Sequence, residues 1–238
     1  MEMQWLDETK LGSGEIFSQP IEARSPTGIG YHGTTALAAI AIGRGVFQPL
    51  SKTIEETRKN LLLRWTEKLL PDECRRLSSQ FQEMVRVNFF PISELALVHA
   101  DQRGGQGVCE TIKPIIEKLL AHPDLIKDRQ DWGKLNRFLE EITMNQQTFP
   151  VVFAVDLRDY RNSVTWNPQG AYQIEGTVSP DKIQAILVAP QFTRFAAIDR
   201  RALLKRAQDL SAKQGHFAYD IRIQTMRQSV GVQPRLLF

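Results

Sequence analysis

Cysteine and histidine are scarce in this sequence. Two cysteines, Cys74 and Cys109, and four histidines are spread over 238 residues. They are too few and too scattered for a disulfide framework or a four-ligand zinc site, and they suit a reducing compartment. No metal is expected. Long apolar runs are missing too. The longest strictly apolar stretch is Ala36–Ile42, far short of the ~18 residues of a membrane span. The first residues, Met1 to Glu8, are acidic and hold no apolar stretch of the kind a cleavable signal peptide carries. A cytoplasmic protein with no membrane contact is the expectation. Internal repeats and low-complexity linkers are absent as well.

What is present is ordinary for a globular chain. Apolar residues make up 42% and charged residues 24%, which excludes disorder, collagen and coiled coil as descriptions of the whole. The length allows one large domain or two small ones and a core that needs no staples. One domain is expected, with an irregular segment at 1–28, punctuated by Gly12, Gly14, Pro20, Pro26 and Gly28, and a helical insertion at 51–87. Net charge is +3, unevenly placed: from Phe192 onward nine Lys/Arg stand against three Asp/Glu. Arg200, Arg201, Lys205 and Arg206 fit one helix, with Leu203, Leu204 and Leu210 on its other face. Such a face is either simply solvated or meets an anionic partner such as nucleic acid.

The pattern along the chain places helices early and strands late, an α+β arrangement. A short strand at Gly30–Thr35 runs into a helix that Thr34 or Thr35 can cap. That helix, Ala36–Ile42, is apolar on every face, so burial on all sides is expected; Gly43, Gly45 and Pro49 end it. Helices are expected over Ile54–Leu70 and from Pro71 onward, where proline and two acids suit a first turn. Phe89 to His99 reads as extended, ending in a strand at Leu95–Val98. Helices are next expected over Cys109–Leu120 and Asp131–Met144. Strands are expected at Pro150–Leu157, Ala171–Val178, Ile183–Val188 and Phe217–Met226, with a polar loop over 158–170.

Two stretches stand out together. The first is Gly30-Tyr31-His32-Gly33-Thr34-Thr35, then the apolar helix, then Gly43-Arg44-Gly45-Val46-Phe47-Gln48-Pro49. The second is Gln173-Ile174-Glu175-Gly176-Thr177-Val178-Ser179-Pro180-Asp181-Lys182-Ile183. This pairing resembles the ADP-ribosyltransferase superfamily, of the bacterial toxin and poly-ADP-ribose polymerase type. Its members often open an NAD-binding core with Tyr-His-Gly-Thr/Ser, a helix and a Gly-Phe/Leu-x-Pro exit, and often carry the catalytic glutamate on a late strand. The resemblance covers residues 29–50, 88–110 and 150–190. It implies a split β-sheet core with the helical insertion in the first half.

The chemistry gives those residue types a reason. Cleaving the glycosidic bond of NAD builds positive charge on the ribose, which a neighbouring carboxylate stabilises, as in glycoside hydrolysis. Glu175 is the candidate, with the ordinary exposed strand glutamate as its alternative. Gln173, two residues earlier on the same strand face, forms with it the Gln-x-Glu pair that the resemblance links to orientation of the acceptor. The resemblance also implies that His32 bonds a ribose hydroxyl, beside Tyr31, Gly33 and Thr34, with Gly33 letting the backbone approach the carboxamide. No tyrosine lies between Tyr31 and Tyr160, so Phe89, Phe90, Tyr160 or Tyr172 would supply a stacking face. That leaves the His-Tyr-Glu and Arg-Ser-Glu subclasses both open. Arg103-Gly104-Gly105-Gln106-Gly107 is either a phosphate cradle built from backbone N–H groups and Arg103 or an ordinary tight turn.

The leading expectation is an NAD-dependent mono-ADP-ribosyltransferase, a toxin or effector that modifies a protein or nucleic acid and releases nicotinamide. An antitoxin or chaperone partner would fit such a protein. An NAD glycohydrolase, with water as acceptor, needs the same glutamate. RNA 2′-phosphotransfer would want arginines around a phosphate, and Arg103 and Arg158 do not make a cluster. A catalytically inactive binding module of the same fold is the alternative outside enzymes.

Overall fold

The computed structural model describes residues 2–7, 9, 11, 16–17, 28–47, 54–83, 86–103, 111–160, 163–167, 171–189, 203 and 205. Two sheets carry the site. Strands β1 (Glu2–Trp5), β2 (Ile29–Thr35), β4 (Pro150–Asp156) and β7 (Ile183–Val188) form one, in the order β1-β7-β4-β2. Strands β3 (Arg86–Phe89), β5 (Val164–Asn167) and β6 (Ala171–Glu175) form the other, in the order β3-β6-β5. Six helices accompany them among the described residues: α1 (Ala36–Arg44), α2 (Glu56–Leu69), α3 (Pro71–Glu83), α4 (Ser93–Arg103), α5 (Lys113–Leu120) and α6 (Arg129–Gln146). The class is α+β.

β4 is the centre of the first sheet because Val151 to Val155 is apolar throughout and can be covered on both faces. It pairs antiparallel with β2, from Ile29 opposite Asp156 to Thr35 opposite Pro150. It also pairs antiparallel with β7, which pairs parallel with β1. Two short bridges lie beside the sheets, and the first links β2 to the residue that follows β3. Tyr31 N–H donates to the Phe90 carbonyl at 2.8 Å and Phe90 N–H to that of Tyr31 at 2.7 Å; Phe47 and Val178 exchange bonds of 2.9 Å in the same way. One face of the first sheet presents Tyr31, Val152, Ala154 and Leu187 to α4. The other presents Val151, Phe153 and Val155 to Val87, Phe89, Tyr172 and Ile174 of the second sheet.

Phe89 ends β3 and Phe90 pairs with Tyr31, but from Ser93 on α4 replaces the extended segment expected over Phe89–His99. A short unbroken apolar run carries no period, so Leu95-Ala96-Leu97-Val98 suits a buried helix as well as a buried strand. Ser93 and Glu94 open the helix after Pro91, and Leu95 to Val98 are buried all round. α1 departs in the opposite sense. Ala36, Ala39 and Ile42 pack on the core, yet no side chain of the helix is fully buried, and Leu37 and Ile40 are 45% and 51% exposed. It lies on the sheets rather than between layers. Thr35 is its cap, accepting from Ala38 N–H at 3.5 Å while its hydroxyl donates to Asn145 of α6.

Two further strands depart from expectation. β1 lies inside the segment read as irregular at 1–28; alternation places Gln4 inside and leaves Met3 and Trp5 outside. β5 lies inside the polar loop over 158–170, after a turn of 3-10 helix at Arg158–Tyr160. The helical part is wider than the 51–87 insertion: α2 and α3 share a core with α5 and α6 through Leu62, Leu77, Ile116, Leu119 and Leu135. Each such side chain contributes about 1.5–3 kcal/mol on burial. Pro71 opens α3 with Asp72 and Glu73. Asp128 caps α6, accepting from Gln130 and Asp131 N–H. Asp131 is buried, and its carboxylate takes Trp65 Nε1–H at 2.9 Å and the Arg64 guanidinium, tying α2 to α6. The expected helix at Arg200–Leu210 lies outside the described residues save for positions 203 and 205, as do the strand at 217–226 and the turn at 104–107. Leu203 is buried in the core. Among the described residues no helix is long and apolar enough to cross a membrane.

Candidate active site

The two stretches that carry the resemblance lie far apart in sequence and meet on β3. β2 holds His32 on the face turned to the second sheet, where its ring is 5.3 Å from that of Phe47 and 5.6 Å from that of Phe89. β3 is an edge strand, so its outward carbonyls are open to side chains. Nδ1 of His32 lies 2.8 Å from the Asn88 carbonyl oxygen. That oxygen can only accept, so Nδ1 carries the proton, and in the neutral ring Nε2 is left as an acceptor. Burial pushes the His32 pKa down, with the Asn88 carbonyl opposing the shift. The neutral ring is the resting form.

That shift has a consequence for stability. Below the ordinary histidine value of about 6.5 the unfolded chain takes up a proton that the folded one resists. The His32 contribution is therefore complete above that value and declines as the pH falls beneath it. Melting temperatures measured from pH 7 to pH 5 are expected to fall more steeply for the wild type than for His32→Asn.

β3 and β6 pair antiparallel, with Asn88 opposite Gln173 and Arg86 opposite Glu175. Alternation sends Val87, Phe89, Tyr172 and Ile174 into the core and puts Arg86, Asn88, Gln173 and Glu175 on the other face. There the side chains form a ladder. Gln173 Nε2 donates to Asn88 Oδ1 at 2.9 Å, and Arg86 Nη1 donates to Gln173 Oε1 at 3.2 Å. Glu175 ends β6 and is exposed; Gly176 after it has φ +92°, which favours glycine. Asn88 thus joins the stretches, its main chain holding His32 and its side chain holding Gln173. Neither Asn88 nor Arg86 stands out in the sequence. The polar–apolar alternation of Arg86-Val87-Asn88-Phe89 is the available signal, hidden by its shortness.

The other expected site residues divide between the two faces of β2 and the surrounding core. Thr34 shares the His32 face and is buried. Tyr31 and Gly33 lie on the opposite face. Tyr31 is buried there, its ring 5.7 Å from that of Phe17. A Cβ on Gly33 would sit 1.8 Å from the Ala96 carbonyl oxygen, so the space this glycine keeps free is filled by α4, not open to a ligand. Phe90 belongs to the Tyr31 side, its ring 5.0 Å from that of His99; Phe89 is the phenylalanine that meets His32. Tyr172 is buried in the core. The Tyr160 hydroxyl accepts from Ser179 N–H at 3.0 Å and fastens the 158–160 turn to the segment after β6. Arg158 is engaged with Asp156, whose carboxyl pKa that hydrogen bond lowers. Arg103 is the last residue of α4, and the glycine-rich turn after it lies outside the described residues.

Comparison of the chain with known protein families, with curated proteins and with solved structures finds no match in any of the three.

Proposed function

We propose that the chain is an NAD-consuming ADP-ribosyltransferase. The observation that carries the reading is the meeting of His32 with the Gln173–Glu175 strand through Asn88. A neutral histidine whose Nδ1–H is spent on the Asn88 carbonyl braces β3 from the core side, where its ring packs on Phe47 and Phe89. An exposed carboxylate on a strand braced by a neighbouring strand suits a developing positive charge, because it needs no rearrangement as that charge appears.

In this reading NAD is a substrate. The bond between ribose C1′ and the nicotinamide nitrogen breaks, and its electron pair leaves with nicotinamide. Glu175 steadies the charge on the ribose. C1′ then bonds a nucleophile of the acceptor, whose proton passes to solvent. His32 braces Asn88 from the core side of β3, and Gln173, fixed by Asn88 and Arg86, faces the acceptor. Water in the acceptor's place gives an NAD glycohydrolase with the same residues. NAD supply makes the cytosol the natural place for either.

The test is incubation of the purified chain with NAD labelled in both halves, with and without cell lysate and RNA. Nicotinamide release together with label on a macromolecule is the expected result; NAD should also raise the melting temperature. Release with only free ADP-ribose would identify the glycohydrolase. A folded protein that releases nothing under any of these conditions would overturn both.

A further inference from the structure

Arg86 sets the direction of the amide ladder, and the meaning of that direction for an acceptor rests on the transferase reading. A guanidinium only donates. The end of Gln173 facing Arg86 is therefore its oxygen, at 3.2 Å. Its nitrogen must then face Asn88 Oδ1, at 2.9 Å, and the Asn88 NH₂ points away from Gln173. Both amide oxygens already receive a donor. The hydrogens still unspent for an incoming molecule are the second one of Gln173 Nε2, those of the Asn88 NH₂ and the rest of the guanidinium; each amide oxygen keeps one lone pair. Glu175 stands beside them, opposite Arg86 in register.

An arginine or lysine side chain as acceptor would set a second cation beside the Arg86 guanidinium and leave those unspent hydrogens without a partner. A nucleic acid brings partners for those hydrogens, lone pairs on base edges and negatively charged phosphate oxygens. The chain's net charge of +3, and the excess of Lys/Arg from Phe192 onward, have the matching sign. We infer that the acceptor is a nucleic acid strand and that Arg86 determines this choice, fixing the donors of Gln173 and Asn88 toward a base and meeting a phosphate itself. The bond formed joins ribose C1′ to a nucleophilic nitrogen or oxygen of the strand. The nicotinamide nitrogen leaves with its electron pair, and the nucleophile's proton goes to solvent.

The experiment gives the full chain phosphate-labelled NAD together with mixed-sequence single-stranded RNA, single-stranded DNA and nucleic-acid-free lysate protein in one reaction. It compares the wild type with Arg86→Gln, Arg86→Lys and Glu175→Gln. Label is expected on an oligonucleotide. The share of released ADP-ribose that reaches it should fall about tenfold in Arg86→Gln and recover in Arg86→Lys, because an ammonium also only donates and keeps the Gln173 amide oriented. Label on protein instead, or an unchanged share in Arg86→Gln while release still depends on Glu175, overturns this inference and leaves the transferase reading standing. Absence of Glu175-dependent release in the wild type overturns both.

Discussion

Glu175→Gln is expected to reduce nicotinamide release by about 10²–10³-fold, in line with the loss of one preorganised electrostatic contact to a charge that develops in the transition state. Glutamine keeps the shape and the hydrogen-bonding reach of the side chain but not its charge. The size of the loss therefore reports charge stabilisation rather than packing. Glu175 is exposed at the end of β6, so the variant should melt within a degree or two of the wild type; an exposed position away from the core usually moves stability by less than about 0.5 kcal/mol. Release rates and melting curves on the same preparation separate the two effects. A variant as active as the wild type would show that this carboxylate does not face the ribose.

The second large effect concerns stability. Gly33→Ala should destabilise the fold by about 3 kcal/mol or more, lowering the melting temperature by roughly 6–12 °C for a chain of this size. The added Cβ would fall 1.8 Å from the Ala96 carbonyl oxygen and 2.6 Å from its carbon. Both belong to backbone, and no rotamer change relieves the clash. α4 would have to lift from β2, opening the layer that holds Tyr31 and Leu95 to Val98. Gly43→Ala is the matched control: nothing lies within 4 Å of a Cβ there, and alanine is the better helix former by up to about 1 kcal/mol. Thermal unfolding of the two variants should diverge in sign. Equal melting temperatures for Gly33→Ala and the wild type would mean that α4 does not seat against Gly33 of β2.

How much of this is legible in the sequence depends on length and period. α2 and α6 are long enough for their stripes to repeat, and Pro71 with Asp72 and Glu73 signals a helix start by its own chemistry. Pro150–Asp156 is an apolar run rich in valine, and it forms β4. Leu95–Val98 is just as apolar but sits in a helix, because its neighbours Ser93 and Glu94 suit a first turn and four residues are too few to show which period applies. Ala36–Ile42 reads as buried on every side from composition alone; the sequence does not say how many layers will cover a helix, and α1 is covered on one side. The site divides in the same way. His32, Gln173 and Glu175 stand in recognisable strings. Asn88 acts through its carbonyl as much as its side chain, and a main-chain contact leaves no mark on residue type. Gly33 reads as room for a ligand, and the fold uses that room for α4.

The strand order also sets a timetable for making the protein. β1 lies against β7, with Glu2 opposite Ala185, and β2 lies against β4. A ribosome releases the early strands long before their partners exist, so β1 and β2 wait through synthesis of the entire helical layer. Contacts this distant in sequence slow folding, because closing the chain costs entropy before the pairing returns anything. α2, α3, α5 and α6 contain only neighbours by comparison and can assemble first. Asn88 follows His32 after 56 residues, whereas Gln173 and Glu175 arrive only with β6. The polar strip is therefore assembled only once β6 has been made, long after β2 and β3.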